Sequence, residues 1–205
     1  MRSRIILCTA LCFLLAAAGP VGAEEPVFQD SEEEIVNALS AEPEAPRTRG
    51  LTRGLSIDKD RLPQCRTVVV KACEGSQVVE ETVTVDTNPS GARANLKIGF
   101  DYDSYLIRRD AYALLNELGK ALTSRKLQGQ AFYVNGHTDA DGPAAYNLDL
   151  SLKRAQAVKN YLVGRFDVPQ NRLNVRGYGE AMPLVPNPVP DKKELNRRVE
   201  IRPAE

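Results

Sequence analysis

Tryptophan is absent from this 205-residue chain, histidine occurs once, and neither sign of charge is in excess, since Lys and Arg number 27 and Asp and Glu number 27. Each shortage closes off a class of function. Without a basic surplus there is no general pull towards nucleic acid. With 6% aromatic residues there is no stacking platform for single strands. A catalytic zinc centre takes three protein ligands, often more than one of them histidine, and His137 stands alone. No Gly-x-Ser-x-Gly elbow carries a nucleophilic serine. No apolar run reaches the roughly twenty residues of a membrane-spanning helix, and residues 24–90 lack the roughly ten-residue alternating strands of a membrane barrel.

What is present begins with an export signal. Arg2 and Arg4 precede an almost wholly apolar stretch from Ile5 to Ala18, and Val21-Gly22-Ala23 supplies small residues at a cleavage site. Cleavage of residues 1–23 predicts a secreted, soluble chain with no transmembrane span. Cys8 and Cys12 leave with the signal, and neither is placed as a lipid-bearing N-terminal cysteine. Cys65 and Cys73 remain, and in an oxidising compartment they are expected to form a disulfide. Eight extended residues span about 26 Å, against about 5.5 Å between bridged Cα atoms. A local bridge therefore requires a loop rather than a straight strand through Val68, Val69 and Val70. Two free or intermolecular thiols are the alternative.

Glu24, Glu25, Asp30, Glu32, Glu33, Glu34, Glu42 and Glu44 fall in residues 24–46 with no Lys or Arg, and Pro26, Pro43 and Pro46 interrupt them. Self-repulsion and scarce apolar surface predict a disordered tether, with no more than a transient helix around Glu32 to Leu39. The repeat Thr48-Arg-Gly-Leu51 and Thr52-Arg-Gly-Leu55 continues this linker, residues 24–61, with basic character. Residues 62–90 form a small β-rich segment in which Thr67 to Val70 and Gln77 to Asp86 predict a hairpin. Asn88-Pro-Ser-Gly91 is a turn marking the start of the main domain, residues 91–205.

Within that domain, strands are expected at Leu96–Tyr102, Gln130–Gly136, Arg172–Tyr178 and Arg197–Arg202. One helix is patterned by Ile107, Ala111, Leu114, Leu115, Leu118, Ala121 and Leu122 and stopped by Gly129. A second is patterned by Leu148, Leu152, Ala155, Val158 and Leu162. The order βαβαββ predicts an α/β (α+β) sandwich, a mixed sheet with helices on one face.

The second strand runs into Gly136-His-Thr-Asp139-Ala-Asp-Gly142, then Tyr146-Asn147 and Leu150-Ser-Leu-Lys-Arg154-Ala155. A loop at the carboxyl end of a strand is a common ligand site in α/β proteins. Asp139 offers two acceptor oxygens to an ammonium group, and Arg154 offers a planar fork of donors to a carboxylate. Together they complement an amino-acid zwitterion, provided the helix brings Arg154 back to the loop. Taken alone, the two could equally pair with each other.

With Phe100-Asp-Tyr-Asp-Ser104, Gly177-Tyr-Gly-Glu180 and Asn196-Arg-Arg-Val199, these blocks resemble the OmpA-like C-terminal domain over roughly residues 92–202. The resemblance implies noncovalent binding of peptidoglycan through diaminopimelate in its peptide stem, with Asp139 on the free amine and Arg154 on the free carboxylate. Asn147, Asp103, Thr138 and Arg197 match further positions of the family pocket. Asp191-Lys-Lys-Glu-Leu195 departs from the pattern, because many members carry a Gly-Arg segment there. No catalytic role, cofactor or metal is expected. The expected location is the periplasm of a Gram-negative bacterium, with outer-membrane association left open. His137 is read as a loop hydrogen-bonder outside the site. Arg197 and Arg198 begin the last strand, where alternation sends one towards the pocket and the other to solvent. Two other classes stay open: a scaffold whose residues 24–90 bind an envelope protein, and a metal-assisted peptidoglycan hydrolase using His137, Asp139, Asp141 and Asp149.

Overall fold

The computed structural model describes residues 26–41, 65–74, 77–86, 91–101, 103–185 and 193–204. The export signal and the basic repeat lie outside them.

The acidic segment forms helix α1, Glu32–Ser40. Ser31 caps it, its Oγ accepting from the Glu34 N–H at 3.4 Å, while the Glu34 carboxylate accepts from the Asp30 N–H at 3.0 Å. Glu32, Glu33 and Glu34 all sit in the first turn, where the helix dipole favours negative charge. Ile35, Val36 and Leu39 are buried in the main core. The expectation of a disordered tether is therefore corrected over these residues. The acids that suggested disorder crowd one helix end, and three apolar side chains share a face that docks on another helix.

Strands β1, Cys65–Glu74, and β2, Gln77–Asp86, form an antiparallel hairpin paired from Cys65↔Asp86 to Glu74↔Gln77. The disulfide expectation is corrected too. A continuous strand holds Cys65 and Cys73 about 26 Å apart, and the Cys73 thiol is free. β-branched composition prevails over the bridge because Val68, Val69 and Val70 each gain a cross-strand partner, Val83, Thr82 and Glu81. Nor is the hairpin a separate segment, since β1 also pairs with a strand of the main domain, described next.

That domain runs β3, Ala94–Leu96, α2, Ala111–Thr123, β4, Phe132–His137, α3, Ala144–Phe166, β5, Leu173–Gly179, α4, Lys193–Asn196, and β6, Val199–Pro203. One six-stranded sheet has the order β2-β1-β5-β4-β6-β3. β4 and β5 are parallel and the other pairs antiparallel, with Lys71↔Gly177 and Ala72↔Arg176 joining β1 to β5. α3 packs on β4 and β5, α2 on α3, and α1 on α2. Leu115, Leu118, Phe132, Val134, Val158 and Ile201 are completely buried between these layers.

The strand expected at Leu96–Tyr102 is corrected to Ala94–Leu96, the other three strands shift by one or two residues, and α2 stops short of Gly129. β3 ends at Leu96, because the Ile98 N–H turns back to the Leu96 carbonyl at 3.0 Å. The chain then forms a loop strapped by Arg108 N–H to Gly99 O at 3.0 Å and Asp101 N–H to Leu106 O at 3.2 Å. α2 ends at Thr123, before Gly129, because a separate turn closed by Leu127 and Gln128 N–H groups on Ser124 O buries Leu127.

Two glycines set the height of α3 above the sheet. A Cβ on Gly136 would lie 2.0 Å from the Ser151 carbonyl oxygen, and one on Gly177 would lie 2.6 Å from Leu152 N. Only a missing side chain at both lets the first turns of α3 rest on the strand backbones. Those turns carry Asn147 and lead to Arg154.

Candidate functional site

Beyond the end of β4, the Thr138 N–H donates to Gly179 O at 2.9 Å, extending the strand pairing and turning Asp139 into a cavity of about 470 Å³. Asp139, Arg154, Asn147, Asp103, Thr138 and Arg197 all line it. The structure thus gathers every residue that the sequence nominated for ligand binding.

Asp139 is 7% exposed. Its Oδ1 accepts from the Asp141 N–H at 3.3 Å, and its Oδ2 accepts from Arg197 Nη1 at 2.9 Å. Asn147 shapes the loop from below, its buried Nδ2 donating to Asp139 O at 3.3 Å, Asp141 O at 3.2 Å and Glu180 Oε2 at 2.8 Å. Asp103 adopts φ 51°, a left-handed backbone that aspartate tolerates better than most residues, and accepts from the Tyr146 hydroxyl. The Thr138 hydroxyl is buried without a hydrogen-bond partner among the described residues.

Arg154 lies on α3, and helical side chains lean towards the N-terminus, which returns its guanidinium to the loop. Its Nε donates to Ser104 O at 3.0 Å, and the guanidinium sits 5.0 Å from the centre of the Phe100 ring. Burial and the nearby Arg197 charge lower its pKa, while Asp139, Tyr146 and Asp103 raise it. It stays a cation, because guanidinium does not lose its proton in proteins. Asp139 takes Arg197 as its ion-pair partner, and no described carboxylate lies within ion-pair distance of Arg154. The direct Asp139–Arg154 pairing left open by the sequence does not form.

The OmpA family model matches residues 99–197, a span that includes every cavity-lining residue except Lys97 and Ile98. Over 134 residues the chain is 31% identical to outer membrane protein A of Bordetella avium, covering 64% of this chain and 67% of that protein. The chain belongs to the OmpA family. It is 37% identical over 123 residues to outer membrane porin F of Pseudomonas aeruginosa, covering 58% of this chain and 35% of the porin. A peptidoglycan-associated lipoprotein of Rhizobium meliloti is 40% identical over 88 residues, 43% of this chain and 48% of that protein. This OmpA-family chain therefore spans only about a third of the porin F relative's length.

The adjacent arginines of this OmpA-family chain part company just ahead of β6. Arg197 faces the cavity, and its Nη2 also donates to Glu194 at 3.1 Å. Both arginines precede β6, which starts at Val199, so the expectation that they begin that strand is corrected; Arg198 does not line the cavity, and the expectation that it is solvated is corrected too. It is 5% exposed, donating to Asn95 Oδ1 at 3.1 Å and Met182 O at 3.2 Å, and its Nη2 lies 3.7 Å from Glu200. His137 lies there too, outside the cavity lining, with Nε2 3.2 Å from Glu200 Oε2 and its ring stacked 5.2 Å from Tyr178. Burial, aided by Arg198, pushes the imidazole down to about 4. Burial by itself would raise the Glu200 carboxyl, but His137, Arg202 and Arg198 outweigh it and bring it to about 2.

Sequence reasoning missed three supporting groups. Glu180 anchors Asn147, and its Gly-Tyr-Gly-Glu block was the signal that could have found it. Lys193 pairs with Asp141 at 2.8 Å and Glu194 with Arg197, and Glu194 lines the cavity.

Proposed function

We propose that this OmpA-family chain is a non-catalytic binder of peptidoglycan in the cell envelope and that its cavity takes the side-chain zwitterion of diaminopimelate. The observation that carries this reading is a buried guanidinium, Arg154, facing the same cavity as the buried carboxylate of Asp139 with no carboxylate of its own among the described residues. A ligand carboxylate supplies the missing partner. The ligand's ammonium group then reaches Asp139, sharing it with Arg197 or displacing that side chain, which is 45% exposed and has Glu194 as an alternative partner. Ammonium and carboxylate on one carbon lie a few ångströms apart, and charge-assisted hydrogen bonds are roughly twice as strong as neutral ones. A stem residue lacking the second carboxylate would leave Arg154 unanswered.

The relatives' names support an envelope location and, for the Rhizobium lipoprotein, an association with peptidoglycan. A periplasmic setting in a Gram-negative cell follows from the same reading. The hydrolase alternative has less support, because His137, which it would use, lies outside the cavity lining.

Co-sedimentation with purified diaminopimelate-type sacculi tests the proposal. Asp139→Ala and Arg154→Ala should each cut retention at least about tenfold, the loss expected when one partner of a desolvated charge pair is removed. Retention unchanged in both variants would favour a protein-binding scaffold. Release of soluble muropeptides by the wild type would instead indicate hydrolysis.

A further inference from the structure

The cavity is charged, but the loop that continues from its lining residue Asp103 carries exposed apolar side chains. Tyr105 is 50% exposed, Leu106 61% and Tyr146 43%. Single exposed apolar side chains need no explanation, whereas a group beside a binding cavity does. The loop is also held rigidly. The Leu106 carbonyl accepts from the Asp101 N–H at 3.2 Å, and the Leu106 N–H donates to Ser104 Oγ at 3.0 Å. Arg154 grips the Ser104 carbonyl at 3.0 Å, and the Tyr146 hydroxyl donates to Asp103. Tyr146 lines the cavity, and two peptide steps, about 7 Å at most, separate Tyr105 from the lining residue Asp103. These contacts fix the loop yet leave the Tyr105 and Leu106 side chains largely in water.

We propose that Tyr105 and Leu106, with the exposed ring of Tyr146, form a saccharide-stacking rim that takes the apolar C–H face of an N-acetylated hexosamine. This rests on the reading that the cavity holds a peptidoglycan stem residue. A stem peptide is covalently joined to its glycan strand, and a residue a few positions along it lies within about 10 Å of the sugar. Occupation of the cavity therefore delivers a sugar to this loop at high effective concentration, where even weak stacking adds affinity. A pyranose offers an apolar face bordered by hydroxyl and acetamido groups. Tyrosine matches it with a rigid apolar ring and a polar tip, at little entropic cost. A zwitterionic side chain alone has no use for such a loop.

Two soluble probes separate the rim from the cavity: a diaminopimelate-containing stem tripeptide, and the same tripeptide carrying its disaccharide. Calorimetric titration of the full chain should show the glycopeptide bound about tenfold more tightly, the contribution of one well-packed tyrosine contact. In the double variant Tyr105→Ser, Leu106→Ser that advantage should vanish while tripeptide affinity stays at the wild-type level. Equal wild-type affinity for the two probes overturns the rim. So does a variant that loses the same factor for both, which would assign these side chains to the cavity itself. A wild type that binds neither probe overturns the peptidoglycan reading, and the rim falls with it.

Discussion

Arg197 and Arg198 have the same side chain and adjacent positions, yet they have opposite surroundings. One borders the cavity with Asp139, and the other is buried beside Glu200 and Asn95. Both precede β6, and the side chains that sort them, Asp139 for Arg197 and Asn95 for Arg198, are far away in sequence. The Glu200 cluster also makes stability depend on pH. His137 is held neutral, with its pKa lowered from 6.5 to about 4, so between these values the unfolded chain binds more protons than the folded one, and stability falls as pH falls. Glu200, lowered from 4.5 to about 2, acts in the same direction in a more acidic window. Urea unfolding at pH 7 and pH 4.5 should reveal a loss of about 2 kcal/mol attributable to His137. A His137→Gln variant should show a correspondingly smaller difference between the two pH values.

At the scale of elements, α1 is the least anticipated part of the structure. Its apolar residues are few, but Ile35 is wholly buried and Leu39 is 2% exposed. Leu39→Ala should therefore destabilise the chain by about 2–5 kcal/mol, the range for a buried leucine truncation. Because α1 packs against α2, β3 and β6 and none of its residues lines the cavity, sacculus retention measured well below the melting temperature should not change. A variant as stable as wild type would show that α1 does not dock. α3 has the contrary character, since its apolar period was legible in the sequence. Its closeness to the sheet depended on Gly136 and Gly177, whose role appears only when Ser151 and Leu152 are seen above them.

For the whole molecule, the hairpin is part of the sheet that carries the site. Lys71 Nζ reaches Asp149 on α3 at 2.5 Å, which is the first cause of its raised pKa, and Arg176 on β5 reaches Glu81 at 2.9 Å. Hairpin and domain should unfold together in one transition. With no Cys65–Cys73 bridge, the melting temperature should be the same with and without reductant, and non-reducing peptide mapping should find no link between the two. A drop of several degrees on reduction would contradict the straight strand.

The sequence alone determined the alternation of strands and helices from α2 to β6, apart from the short α4, and the nomination of six cavity residues. Four of them, Thr138, Asp139, Asn147 and Arg154, occupy one turn and the helix after it, so local backbone geometry already brings them together. The tertiary structure decided which surfaces meet: α1 on α2, β1 beside β5, Arg197 on Asp139, and Arg198 within the buried cluster. Hydrophobic and charge patterns state that a face needs covering or a charge needs an opposite. Which distant segment answers is set by how the layers pack, and no local pattern encodes that choice.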